Sequence, residues 1–503
     1  MGTLALTLAD AAKWAALRSY PLFERVVASP TPPWAEALGA NAAWRAAMHA
    51  YRRVPAYREF VDTSGWSDDP GLSAAGRLAR LPMTDKNTYV RVFPTAARCL
   101  DGKIPLIGTE IDESSGSSGV PFNWVRSAQE LTEMHRGLSQ FARYLFGTEV
   151  VTLNGFSMGA WSTGVNTAEA LRRNGIVKSP GPDPEKIVDT MRFLGPSYVY
   201  VITGYPPFLR ALLEHGDAVG HDWHPYRMFG VVGGEGMSEQ LRDRLQRRFI
   251  GVYSAYGASD LDIGVAAETP TSIWLRRKAA DDPELRRELF GDDPRLPMVF
   301  QYNPLDYHAE SIDGELVVTV SRLRMLSPRI RYNIHDSGGQ RSFRSMADIC
   351  RGFGLDLAGV EMPAGQPGLR LPFLHVHGRS DATISYMGAN IYPEDVEQAL
   401  YAEADLSERI GAFCLELREI GAGDVRPCVH VEITRRADDD REVAERLREL
   451  VVRRLEANSR DYRSAVAENP TAAQILVELH DPNQGPFGEN GRRIKRRYIV
   501  APP

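Results

Sequence analysis

Short apolar runs of strand length, separated by longer amphipathic stretches, constrain this chain more than any other feature. EVVTLNGF (149–156), YVYVIT (198–203) and MFGVVGG (228–234) predict buried strands. Helices are expected between and after them. The segment 127–146 opens with Ser127 and Glu130 in capping-box spacing and repeats Leu131, Met134, Leu138, Phe141 and Leu145 on one face. Ser238 precedes a second helix with Leu241, Leu245 and Phe249 in a stripe. Alternation of this kind predicts a layered α/β fold. At 503 residues the chain exceeds what one compact core accommodates, so two or three domains are expected.

The character changes after Gly378. A helix near 394–401, strands GAFCLEL and PCVHVEI, a long helix near 438–457 and a last strand near 475–479 predict a compact α+β unit. The expected boundaries are 1–377 for a large N-terminal domain and 378–503 for a small C-terminal one. In PCVHVEI, His430 shares a face with Cys428 and Glu432 while Val429, Val431 and Ile433 share the other, which predicts a half-exposed strand.

Charge narrows the partners. The 59 Lys and Arg are outnumbered by 65 Asp and Glu, so no cationic field exists to recruit nucleic acid or anionic lipid, and a small ligand is expected. Four cysteines (Cys99, Cys350, Cys414, Cys428) form no CxxC pair, which suits reduced thiols. The N-terminal MGTLALTLADAAKWAAL carries Asp10 and Lys13 and reads as an amphipathic helix, not a signal peptide. No window reaches the ~18 apolar residues of a membrane span. A cytoplasmic protein is expected.

One loop suggests the ligand. In DESSGSSGVPFNW (112–124), glycine lets backbone N–H groups converge on an anion and serine hydroxyls add donors. A flexible linker has the same composition. The strand-like VPFNWV and the capped helix that follow place the loop inside a domain, and it lacks the GK[ST] ending of a P-loop.

Further motifs follow in order: VVGGEG (231–236), YSAYGASD (253–260), RYNIHDSGG (331–339) and GRSDATISYMGANIYPEDVE (378–397). With YRRVPAYREF (51–60) and LPMTDKNTY (81–89), the set resembles the adenylate-forming (acyl-CoA synthetase) superfamily, in its phenylacetate-CoA ligase-like branch. The resemblance implies a large multi-sheet N-terminal domain with a small mobile C-terminal domain. It also implies a two-step reaction with ATP, Mg2+ and coenzyme A, in which a carboxylic acid becomes an acyl-adenylate and then a thioester.

On that resemblance, Ser114, Ser115, Gly116, Ser117, Ser118 and Gly119 would cradle the β and γ phosphates. Gly233, Gly234 and Glu235 would line the adenine pocket, with Tyr256 stacked on the base beside Gly257. Ser259 would bond the α-phosphate, Asp260 would hold the metal, and Asp336 would accept both ribose hydroxyls with Arg379 in support. Asp381 would be the hinge, and Gly388 would flank a pantetheine tunnel. Phe156, Trp161, Tyr205, Phe208 and Ala255 would enclose an aryl or arylalkyl acid, although these aromatics suit a protein core equally. A homodimer is a family suggestion.

Three departures from the superfamily pattern stand out, of which the first is discounted because the phenylacetate branch also tends to lack that lysine. Pro121 precedes Phe122 where many relatives of this superfamily have lysine, and Asp260 stands where most have Glu, one C–C bond (~1.5 Å) longer. ENGRRIKRRYIV offers Arg493 and Lys495 where a Gly-Lys segment supplies the adenylation lysine; Lys495 is the expected catalytic residue. Two rival readings stand: transfer to a carrier-protein thiol or an amine and, motivated by Asp260 and the missing Gly-Lys, a nucleotide-binding protein without catalysis. HVHG (His375, His377), with His335, suggests a metal pair, but no cysteine or carboxylate cluster accompanies it. GFSMG (155–159) resembles a nucleophile elbow, yet the turn-rich AWSTG predicts no helix after it.

Overall fold

The computed structural model describes residues 3–28, 33–114, 122–159, 162–293, 295–363, 368–379, 384–407, 409–421, 424–434, 440–470 and 474–488. Strands β1 (Thr109–Ser114) and β2 (Phe122–Ser127) form an antiparallel hairpin in which Ser114 faces Phe122. The Ser/Gly loop thus joins two paired strands and is no linker between domains.

The next strands are β3 (Val150–Asn154), β4 (Gly175–Lys178), β5 (Val199–Gly204), β6 (Arg227–Gly233), β7 (Gly251–Ala258) and β8 (Asp262–Ala267). They are followed by β9 (Met298–Tyr302), β10 (Tyr307–Ile312), β11 (Glu315–Val320), β12 (Tyr332–Arg341) and β13 (Phe373–Arg379). All eleven join one sheet in the order β10-β11-β12-β13-β9-β8-β7-β6-β5-β3-β4. From β4 to β7 neighbours run parallel; from β7 to β10 they run antiparallel. Every residue of β3 is buried, as a parallel strand covered on both faces requires. The helix Ala128–Phe146 carries the expected capping box between Ser127 and Glu130.

One expectation fails locally: a helix, Ser162–Leu171, does follow GFSMG. Turn-favouring Ser162, Thr163 and Gly164 are accommodated because Asn166 bonds back to Ser162 O at 2.8 Å and Gly164 lies where a Cβ would come within 2.1 Å of Ser157 O.

The C-terminal residues bury a core of their own. Hairpin β14 (Ile384–Tyr386) and β15 (Ala389–Ile391) precedes a three-stranded sheet of β16 (Ile410–Glu419), β17 (Val425–Ile433) and β18 (Leu476–His480), ordered β16-β17-β18. Helices Pro393–Leu400, Asp440–Asn458 and Arg460–Glu468 pack Val396, Leu447, Val451 and Tyr462 against Val429 and Val431. The expected half-exposed face of β17 is covered instead: Cys428 is 0% and His430 2% exposed. Glu416 and His480 reach across from the flanking strands and bond to His430.

A buried ion pair locks the parallel half of the large sheet. Arg242, on the helix Glu239–Leu245, donates to Glu268 Oε1 at 2.6 Å and to Val252 O at 2.5 Å, while Glu268 Oε2 accepts from Ser254 N at 2.7 Å. Both side chains are fully buried. Arg242→Met leaves the Glu268 carboxylate buried without its partner, and the expected cost is ~3–5 kcal/mol, read as a lower denaturant midpoint.

Candidate active site

Parallel strands deliver their C-terminal ends to one edge of a sheet, where crevices form. Here β6 ends at Gly233 before Gly234 and Glu235, and β7 ends at Ala258 before Ser259 and Asp260. The antiparallel half brings β12 and β13 to the same region. Gly338 permits their close pairing, since a Cβ there would come within 2.1 Å of His375 O. Asp336 and Arg379 are register partners across these strands, 3.8 Å apart between Oδ1 and Nη1.

Tyr256 from β7 meets them. Its hydroxyl donates to Asp336 Oδ2 at 2.6 Å, and its ring stacks on Phe300 with centroids 5.6 Å apart. Burial, then the neighbouring Asp336 charge, pushes the phenol well above its ordinary pKa, so it remains a donor. Three residues separated in sequence by up to 123 positions thus form one polar cluster on an aromatic platform. Phe300 carried no sequence signal, because its place under Tyr256 follows from sheet order alone.

Asp260 sits in a second cluster. Its Oδ1 accepts from Trp124 Nε1 at 3.1 Å, and its Oδ2 accepts from Tyr332 at 3.2 Å and pairs with Lys86 Nζ at 3.0 Å. Arg329 holds the Asp260 carbonyl at 2.9 Å, and Ser259 Oγ lies 2.9 Å from Ser162 Oγ. Lys86 belongs to the LPMTDKNTY motif, in a turn capped by Asp85, and sequence reasoning assigned it no role. An open metal ligand is not what this arrangement offers: both carboxylate oxygens are engaged and an ammonium occupies the cation position. Among the described residues, Asp260 belongs to no closely set group of three metal-ligating side chains.

A cavity of about 790 Å³ is lined by Ala255, Gly257 and Ser259, chain neighbours of Tyr256 and Asp260, which do not themselves line it. Phe156, Ala255, Gly234, Leu138 and Phe141 line it, and the N-terminal helix Thr3–Ala16 contributes Ala12 and Ala16. Phe208 does not line it. That ring is 1% exposed and fills the space over Gly155 and Gly204, where added Cβ atoms would lie 2.3 and 2.5 Å from it. Tyr205 stands edge-on to Phe156 at 5.5 Å and faces the C-terminal residues instead.

Contacts among the described residues join the C-terminal part to this region. Met387 N donates to Glu235 Oε2 at 2.9 Å, Ser157 Oγ to Glu468 Oε2 at 2.6 Å, and Arg210 pairs with Asp424 at 2.9 Å. Gly388, at φ 79°, lies so close to Tyr205 that a Cβ would come within 2.4 Å of the phenol oxygen. The Ser157 hydroxyl therefore serves this contact, and among the described residues no histidine bonds to it. Enclosure of the Glu235 carboxyl pushes its pKa up to about 8, against the pull of the Met387 N–H. Burial, with Glu113 adding to it and Lys86 opposing, raises Asp461 to about 6.

Several expected site residues lie outside the described residues: Ser115, Gly116, Ser117, Ser118, Gly119, Trp161, Asp381, Arg493 and Lys495. Ser114 is described only as the last residue of β1.

No family model matches the chain. It is 23% identical over 367 residues to a phenylacetate-coenzyme A ligase of Pseudomonas putida, covering 72% of this chain and 74% of that one. A phenylacetate-coenzyme A ligase of Aromatoleum evansii is 23% identical over 402 residues, covering 78% and 80%. Among solved structures, 2-hydroxyisobutyryl-CoA ligase in complex with 2-HIB-AMP and CoA superposes with a TM-score of 0.64, at 15% identity, over 95% of this chain and 91% of that one. Similarity at such identity speaks to the fold. By sequence the chain is similar to phenylacetate-coenzyme A ligases, and its fold is similar to that of 2-hydroxyisobutyryl-CoA ligase.

Proposed function

We propose that the protein is an AMP-forming carboxylate-CoA ligase acting on an apolar aryl or arylalkyl acid. The observations that carry this reading are the Tyr256–Asp336–Arg379 cluster on β7, β12 and β13 and a largely apolar cavity lined by Ala255, Gly257 and Ser259 from the same stretch of chain as Tyr256. In the first step a carboxylate oxygen bonds to the α-phosphorus of ATP and pyrophosphate leaves. In the second a thiol sulfur attacks the acyl carbonyl, AMP leaves, and the thiol proton passes to solvent or base.

Each residue has work suited to its chemistry. Tyr256 and Gly233–Glu235 bracket the adenine, Asp336 accepts the ribose hydroxyls, and Arg379 screens the build-up of negative charge. Ser114–Gly119 take the β and γ phosphates, Ser259 the α-phosphate, and Lys495 the developing charge at the acid. Phe156, Ala255 and their neighbours hold the apolar part of the acid. The volume of about 790 Å³ lies within the ~300–1,000 Å³ of sites for drug-sized ligands, and Gly233, Gly234 and Ser259 line part of it. Magnesium supplies charge neutralisation when it arrives on the triphosphate, while Asp260 stays paired with Lys86.

Residues 1–377 and 378–503 are the two working bodies, with the hinge at Asp381. The β14–β15 hairpin on Tyr205 is the face used for thioester formation, and closure there excludes water from a hydrolysable adenylate.

Acid-dependent ATP–pyrophosphate exchange over a panel of aryl and arylalkyl acids, followed by CoA addition, tests the whole reading. Exchange followed by CoA consumption is expected. Exchange without CoA consumption points to a carrier or amine acceptor; ATP binding without exchange points to a protein that lacks catalysis. Asp336→Asn removes a charged acceptor worth ~1.5–3 kcal/mol, so calorimetry should show ATP binding weakened roughly 10- to 100-fold. Gly388→Ala forces the hairpin off Tyr205 and should lower CoA consumption more than tenfold while exchange changes little.

The Glu235 carboxyl adds a pH dependence. Its docked pKa of about 8 exceeds the ~4.3 of an exposed glutamate, so docking takes up a proton between them. The contribution is complete below the lower value and lost as pH rises through the higher. Small-angle scattering should show the two bodies separating with rising pH, and Glu235→Gln should flatten the response.

A further inference from the structure

The outer face of the C-terminal sheet gathers side chains that the ligase reaction does not use. Strands β17 and β18 run parallel with His430 beside Glu478, and the two-residue period of a strand turns His480 to the same side. His430 Nδ1 lies 2.8 Å from His480 Nε2, and each of these nitrogens lies 3.9 Å from Glu478 Oε2. Ligands held ~2.0–2.2 Å from one tetrahedral ion stand ~3.4 Å apart. The three edges of this triangle bracket that spacing.

The surroundings orient the ligands. Glu416 Oε2 lies 2.7 Å from His430 Nε2, so it accepts that ring's N–H and turns the Nδ1 lone pair toward His480 and Glu478. A carboxylate behind a ligating imidazole is the common outer support of a metal site. Arg418 pairs with Glu478 through Oε1, not the Oε2 of the triangle, and with Glu416 at 3.1 Å; it stands 3.3 Å from His430 Nε2 without bonding it, since that nitrogen carries the proton given to Glu416. Two carboxylates against one guanidinium leave the cluster net negative. Phe487 closes one flank, with its ring 5.8 Å from that of His480. The Glu478 side chain is 42% exposed, which leaves an entry path from solvent. Cys428 lies alongside on the same face of β17, fully buried, and with Glu416 and His430 forms a second close group of candidate ligand atoms.

We propose that His430, His480 and Glu478 bind one zinc-class divalent transition-metal ion, with water in the fourth position, and that the ion clamps β18 to β17. Two imidazoles and one carboxylate suit zinc and its neighbours; magnesium and calcium prefer oxygen-only sets. In the metal-free protein the 2.8 Å contact is a hydrogen bond between the two rings. The site does not depend on the ligase reading, and no residue in it belongs to the proposed catalytic apparatus.

The test uses chelator-treated, full-length protein titrated with Zn2+ by calorimetry, with Co2+ absorption reporting coordination and Mg2+ as the control. One equivalent of Zn2+, four-coordinate Co2+ bands and a raised unfolding midpoint are expected, with no response to Mg2+. His430 is too buried for a first substitution, so the more exposed partners carry the comparison. His480→Asn and Glu478→Gln should each weaken Zn2+ at least tenfold while leaving ATP binding and far-UV dichroism unchanged, and His377→Asn should leave the Zn2+ affinity intact. Absence of stoichiometric Zn2+ binding, or binding retained in His480→Asn, overturns the proposal.

Discussion

The anchoring of the turn after β7 is what the rest of the site depends on. At this point the sheet changes from parallel to antiparallel pairing, and a charged residue, Asp260, is taken almost out of solvent. A buried carboxylate is tolerated only with partners on its oxygens. Lys86, Trp124 and Tyr332 supply them from three segments remote in sequence, and Arg329 holds the adjoining carbonyl. Because those partners come from the N-terminal turn, β2 and β12, satisfying one carboxylate sets the relative positions of β2, β7 and β12. Tyr256, four residues earlier on β7, is thereby brought within 2.6 Å of Asp336.

Conformational economy follows from the same logic on the C-terminal side. The C-terminal residues own a separate apolar core, and among the described residues polar contacts join them to the large sheet: Met387 with Glu235, Ser157 with Glu468, Arg210 with Asp424. Polar, partly titratable interfaces of this kind separate at little cost compared with an apolar one. Gly388 against Tyr205 is the exception, a contact of shape, tolerating no side chain at that point.

Much of the chain was legible without coordinates. Apolar runs at 149–156, 198–203 and 228–234 became β3, β5 and β6, and the Ser127–Glu130 pattern became a capping box, because burial on both faces and satisfaction of helix-end N–H groups are local demands. Errors arose where tertiary contacts overrode local preference. Ser162–Leu171 is helical despite its turn-favouring start, since Asn166 and the close approach of Gly164 to Ser157 compensate. His430 is buried although its strand alternates like a half-exposed one, because Glu416 and His480 satisfy its ring. Phe208 looked like a pocket wall and is core, since only the glycines at the ends of β3 and β5 make room for it.

Taken alone, the sequence determined the class of fold, the alternation of strands with helices, the compact C-terminal unit and the residue types suited to nucleotide chemistry. Each is written in periodicity, capping or motif order, which act over a few residues. Only the tertiary structure decided that Tyr256 bonds Asp336, that Lys86 pairs with Asp260, and that His430, Glu478 and His480 converge. Those relations depend on strand order and register in two sheets, and strand pairing over long separations leaves no local trace in the residues that it joins.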